Sequence, residues 1–301
     1  MNELRISIVQ YLNTAPLVRG FTHGPLRGKY ELSFTVPSQC AEALRSGAAD
    51  VAIIPAIEVQ RMDGMVVLPD LSIASKRSVR SLLLLAKKPV HEARRIALDR
   101  SSRSTQALVR ILCAEHWKIS PEFIEAAPDA ASMLAEADAA LIIGDPALRL
   151  AISIERAARR DPSGALVCAP QDAGLAVAGA DTLWVYDVVE QWRAMTGLPA
   201  VMAFWAARRN VATSEVLADF LASRDFGIAR IDDISAEAAR ELHLPAAALA
   251  SYLRDNIDFS LDAENRRGLE LYFDRCAALG LIPRAKPVEW AAVAAGARTA
   301  P

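Results

Sequence analysis

Residues 31–56 read "ELSFTVPSQCAEALRSGAADVAIIPA", and how they are interpreted decides the fold. "ELSFTVP" alternates apolar and polar positions as a strand does. In "PSQCAEALRSGAAD" the apolar residues fall at helical spacing, Ser38 stands where a helix cap would, and Gly47 supplies the stop. "VAIIPA" is a short apolar run of the kind buried on both faces of a sheet. Strand, helix and buried strand in so short a span make a parallel β-α-β unit.

Working outward, "RISIVQ" reads as an earlier strand and "APLVRGF" as the start of the helix after it. A second cycle follows: "RIALD" as strand, "SSRSTQALVRILCAEHW" as helix, "EFIEAAP" as strand, "DAASMLAEA" as helix and "DAALIIGDPAL" as a buried strand ending in Gly-Asp-Pro. The two cycles share one order of elements and imply two α/β lobes of similar design. The long apolar stretches "SLLLLA" and "AVMAFWAAR" are the candidates for two connecting strands. After Arg208 the pattern is helical, and the last residues, "AAVAAGARTAP", are expected to fray. The fold class expected is therefore α/β and bilobal, of the type II periplasmic-binding-protein kind. Residues 1–86 with 206–301 would form the first lobe and 87–205 the second. In such a layout a ligand lies between the lobes, where hinge closure surrounds it.

Composition narrows the function. The 301 residues are 52% hydrophobic and 23% charged with net charge −2, so the chain is globular and has no basic field for nucleic acid or an anionic membrane. Cys40, Cys113, Cys168 and Cys276 stand far apart, with no Cys/His spacing for zinc, and read as buried free thiols. "MNELRISIVQ" lacks the charged and apolar regions of a signal peptide, and no apolar run approaches the ~18 residues of a membrane span. A cytoplasmic location is expected. The dinucleotide, phosphate-loop, zinc-protease and serine-hydrolase motifs are all missing, so neither a cofactor nor a metal is expected.

The polar clusters at strand ends and helix starts are the candidates for chemistry. They are Tyr11, Asn13 and Thr14 in "YLNTAPL", Ser38 and Gln39 in "VPSQC", Ser81 closing "SKRSVRS", then Ser101, Ser102, Ser104 and Thr105 in "DRSSRST", and Gly144 with Asp145 in "IIGDP". Hydroxyls at a helix start join unpaired backbone N–H groups and the positive dipole end, a combination suited to a carboxylate. Ser38 reads equally as an ordinary cap and as a ligand contact. The Ser101–Thr105 run has more hydroxyls than a cap needs, which favours ligand. Asp145 before Pro146 also suits a simple turn. Arg77, Arg80 and Arg103 are open between substrate pairing and plain surface charge.

Taken in order, "YLNTAPL", "PSQCAEALRSGAADVAIIPAIE", "SVRSLLLL", "IALDRSSRSTQALVRILC", "ALIIGDPAL" and "EQWRAMTGLPAVMAFWAAR" resemble the chorismate dehydratase family of the futalosine route to menaquinone. The match covers about residues 5 to 210. It departs from the family in the order of hydroxyls at "RSTQ". The resemblance implies a bilobal fold and a lyase that removes water from chorismate to give 3-[(1-carboxyvinyl)oxy]benzoate. On that reading Asn13, Ser81 and Asp145 are assigned catalytic roles, with the base open between Asp145 and the substrate's own enolpyruvyl carboxylate, and Tyr11, Thr14, Ser38, Ser101, Ser102, Ser104, Thr105 and Gly144 are assigned to binding substrate. Two alternatives stay open: a non-catalytic binding protein for a carboxylated small molecule, and the sibling 1,4-dihydroxy-6-naphthoate synthase. Oligomeric state is not read from the sequence.

Overall fold

The computed structural model describes residues 3–155 and 157–292, and all but the first two residues of the tail "AAVAAGARTAP" lie outside that range. In chain order the first elements are β1 (Arg5–Val9), α1 (Ala15–His23), β2 (Glu31–Thr35), α2 (Pro37–Ser46), β3 (Val51–Pro55) and β4 (Met65–Ser75). Next come β5 (Leu82–Ala86), β6 (Arg95–Asp99), α3 (Arg103–Ile111), β7 (Glu122–Ala126), α4 (Ala130–Glu136), β8 (Ala139–Ile143) and α5 (Gly144–Ile154). The remainder is β9 (Arg159–Arg160), β10 (Leu166–Cys168), β11 (Leu183–Asp187), α6 (Val188–Thr196), β12 (Ala200–Arg208), α7 (Ser214–Ile228), α8 (Ile231–Leu242), α9 (Ala246–Ser251) and α10 (Ala263–Ala278).

Two sheets organise these elements. The first runs β2-β1-β3-β12-β4 and the second β7-β6-β8-β5-β11-β10-β9. β1 pairs in parallel with β2 and β3, as β6 does with β7 and β8, while β12 and β5 run antiparallel to β3 and β8. Five positions of the two sheets thus correspond one to one, as the repeated cycle in the sequence implied. The carboxyl ends of β1 and β3 face those of β6 and β8, and the turns leaving those ends meet.

Two connecting strands were expected, at "SLLLLA" and "AVMAFWAAR", with lobe boundaries after residues 86 and 205. By sheet membership the division falls elsewhere. β5 pairs with β8 and β11 inside the second sheet, and β12 with β3 and β4 inside the first. Strands buried on both faces belong in the middle of a sheet, and every residue of β5 is buried. The chain passes between sheets through residues 76–81 and again through α6 and 197–199. β4 and β11 escaped the sequence reading. β4 contains Pro69 and then Asp70 at φ +60°, with register shifts in its pairing to β12, so its pattern is broken where a bulge lies.

Alternation sorts the second sheet's side chains. Leu84, Ala86, Ile96, Leu98 and Leu141 join the main core with α3 and α6, while Leu83, Leu85, Ala97, Ala140 and Ile142 pack under α4 and α5 in a smaller core. The four helices after β12 close over the first lobe. α1 and α7 cross so closely that a Cβ on Gly227 would lie 2.0 Å from the Pro16 carbonyl oxygen. Gly47 ends α2 at φ +83°, as expected, but Ser38 is not its cap. Val36 holds the cap position, Pro37 opens the helix, and no side chain bonds the free N–H groups. All four cysteines are buried free thiols.

Candidate active site

The turn after β1 crosses to the other lobe. The Leu12 N–H donates to both Asp145 carboxylate oxygens, at 3.0 and 3.3 Å. The Tyr11 ring lies against Gly144, where a Cβ would sit 2.7 Å from ring carbons, and Gly144 is at φ +67°. Only glycine meets both conditions without strain. The Tyr11 hydroxyl lies near Ser101, whose Oγ and N–H both donate to Asp99 Oδ1, at 2.7 and 2.9 Å. A further cross-lobe bond runs from the Ile57 N–H to Ser104 Oγ at 3.1 Å.

Behind these turns lies a second group. Tyr252, almost wholly buried, donates its hydroxyl to Ser81 Oγ at 2.9 Å, and the Asn13 side chain lies near that phenol. The Ser81 carbonyl accepts the Gly144 N–H at 2.8 Å, which fixes the end of "SVRS" against the start of α5. Asn13, Ser81, Gly144 and Asp145 are therefore drawn together from three segments of the chain. A cavity of about 540 Å³ opens over Tyr11, Leu12, Thr14 and Asp145, with walls from α1 and α8 that carry the Arg19–Glu237 ion pair. That volume fits a small carboxylated ring, although Asn13, Ser81 and the Ser101–Thr105 turn are not among its lining residues.

Electrostatics favour neutral or adjustable groups. Burial pushes the Asp145 carboxyl up to about 6, against the opposing pull of the Leu12 N–H and the positive charge of Arg149. Burial also raises Asp99, whose Oδ2 has no hydrogen-bond partner among the described residues, and it raises the phenols of Tyr11 and Tyr252. The arginines are committed elsewhere. Arg80 pairs with Glu155, and Arg103 bridges to Glu42 and to the fully buried Glu58 at 2.9 Å each. Arg77 is exposed. Among the described residues no three His, Cys, Asp or Glu side chains gather as metal ligands would.

The remaining candidates divide. Ser101, Ser102, Ser104 and Thr105 are all buried, and no side chain caps α3. Ser104 and Thr105 line a separate void of about 10 Å³ with Tyr272 and Trp192, away from Asn13 and Ser81. Ser38 is half-buried on the second residue of α2, and no hydrogen bond among the described residues joins it to the cluster. Two residues of the cluster were missed. Asp99 was legible, as a carboxylate closing "RIALD" just before the hydroxyls. Tyr252 gave no signal, since it lies 171 positions from its partner Ser81.

Comparison with known proteins adds a family to this geometry. The sequence profile of a menaquinone biosynthesis family matches residues 4–278. The chain belongs to that family. Its sequence is 28% identical over 285 residues to chorismate dehydratase of Thermus thermophilus, covering 93% of this chain and 97% of that one. Among solved structures, a protein of Archaeoglobus fulgidus superposes with TM-score 0.68 at 18% identity, over 93% of this chain and 98% of the other. The alkanesulfonate-binding protein SsuA of Xanthomonas axonopodis, bound to MOPS, gives 0.63 at 15% identity, over 96% and 98%. At those identities the structures establish the fold: this member of the family is a bilobal, periplasmic-binding-protein-like α/β protein. Among its described residues no helix is long and apolar enough to cross a membrane.

Proposed function

We propose that the chain is a chorismate dehydratase, a lyase that forms 3-[(1-carboxyvinyl)oxy]benzoate and water. The observation that carries the reading is the convergence of Asn13, Ser81 and Asp145 on one spot between the lobes, in a chain similar along its length to a chorismate dehydratase.

Chorismate needs little chemical help. Its ring becomes aromatic once the C3 hydrogen and the C4 hydroxyl are gone, so the enzyme must hold the ring, stabilise charge and move one proton. The C3 hydrogen and the C4 hydroxyl lie on the same face, because the two substituents are trans. Asp145 takes the C3 proton, the C3–H electron pair enters the ring, and the C4–O bond breaks. The departing oxygen takes that proton from Asp145 and leaves as water, which restores the carboxylate. A carboxyl poised near 6 suits a group that accepts and returns a proton close to neutral pH. Asn13 and Ser81 donate hydrogen bonds to the leaving oxygen, where negative charge grows. Tyr11, Thr14, Ser101 and Ser102 hold the substrate carboxylates, while Ser104 and Thr105, at the separate small void, and Ser38, outside the cluster, are given no contact.

The test is conversion of chorismate by the purified protein and by Ser81→Ala. The wild type should give a product lighter by one water, and Ser81→Ala should be slower by about 10²-fold. Equal rates would sink the role of Ser81. Turnover that survives Asp145→Asn would pass the base role to the substrate's own enolpyruvyl carboxylate. Chorismate that binds but is never converted would favour a solute-binding role.

A further inference from the structure

The helical region after β12 supplies a side chain to this centre. α9 does not end as an ordinary helix but runs into a π-helical turn, Tyr252–Asn256. Such turns hold an extra residue per turn and recur where side chains must be re-aimed for function. Here the turn grips the link between the sheets at two points. The Tyr252 hydroxyl donates to Ser81 Oγ at 2.9 Å, and the Asn256 amide donates to the Ser78 carbonyl and hydroxyl oxygens at 3.0 and 3.2 Å.

The direction of these bonds matters. A serine hydroxyl has one proton to give and lone pairs to accept with. Tyr252 donates to Ser81. Once Ser81 Oγ accepts from Tyr252, its own proton is left to point elsewhere. Burial raises the Tyr252 phenol, so it remains a protonated donor throughout the working pH range.

We propose that Tyr252 is a positioning residue of the elimination: by donating to Ser81 Oγ it turns the Ser81 proton toward the hydroxyl that leaves C4. No proton departs from the tyrosine. It sets the orientation of a donor, and the proton that completes the water comes from the base. The inference rests on the chorismate dehydratase reading and names a role within that same site for the carboxyl-terminal helices.

The experiment is a double-mutant cycle on chorismate turnover with Tyr252→Phe and Ser81→Ala. Tyr252→Phe keeps the ring's volume and deletes only the hydroxyl, so it should lower kcat about tenfold and leave KM within about twofold, one hydrogen bond's worth of transition-state help. In the Ser81→Ala background the same substitution should cost nothing further, because the two act as a unit. Asn256→Ala is the control: it loosens the same turn without removing the donor, and its effect should multiply with that of Ser81→Ala. The proposal is overturned if Tyr252→Phe keeps full kcat, if its loss multiplies with that of Ser81→Ala, or if Asn256→Ala shows the same coupling. A wild-type protein that leaves chorismate unchanged would overturn the functional reading itself, a result distinct from an active wild type with an indifferent Tyr252.

Discussion

The turn after β1 and the turn after β6 occupy the same position in two sheets of the same strand order, yet they are wired in opposite ways. The first reaches outward: Tyr11 packs on Gly144, and Leu12 donates to Asp145, so its ties cross to the facing lobe. The second folds inward: Ser101 donates twice to Asp99 at the end of its own strand, and Asp99 Oδ2 stays buried without a partner among the described residues. Repetition of the architecture has not repeated the chemistry. One turn contributes uncharged donors and holds the lobes together, while the other contributes a buried carboxyl and a row of hydroxyls.

Breaking the first turn should cost most. Asn13→Ala is expected to lower kcat by about 10²–10³-fold, the usual loss for one donor aimed at developing charge, with the melting temperature little changed. The cross-lobe carboxyl comes next. If Asp145 is the base, kcat/KM rises with pH through about 6 and then levels, because only the ionised form accepts the proton. A profile flat from pH 5 to 8, expected for a base supplied by substrate, would remove Asp145 from that role. Gly144→Ala tests the contact itself. Its Cβ would press on the Tyr11 ring at a φ that L-residues avoid, and a stability loss of about 1–3 kcal/mol is expected in denaturant titration.

Asp99→Asn, on the inward-folded turn, should have the smallest effect and the opposite sign. Burial raises the carboxyl of Asp99 in the folded protein. Its favourable contribution is complete below the ordinary carboxylate pKa and is lost as pH rises through the raised value. The neutral amide escapes that loss, so Asp99→Asn should melt no lower than the wild type at neutral pH. A clear drop would mean that Asp99 is needed as a charge.

How much of this was legible follows from which interactions are local. The β-α-β unit at 31–56 was readable because alternation, helical spacing and Gly47 all agree within one short stretch. β4 was not, because the bulge at Pro69–Asp70 interrupts its pattern. The polar turns announced themselves as clusters, and the segments that carry Asn13, Ser81 and Asp145 lie side by side through the Leu12–Asp145 and Gly144–Ser81 bonds. What the sequence could not carry is pairing at a distance. Nothing near Tyr252 points to Ser81, and nothing near Arg103 shows that Glu42 and Glu58 hold it away from the free role left open for it. Ser38 shows the same limit in reverse: the residue suits a cap, but Pro37 fixes the helix start two positions too early for it.

The most direct measurement is chorismate incubated with the purified wild-type protein, followed by ultraviolet absorbance and product mass. Loss of the ring diene together with an aromatic product lighter by one water is the predicted result. Chorismate that stays intact at saturating protein, while a titration shows that it binds, would contradict the account and leave the cleft as a place that holds its ligand without changing it.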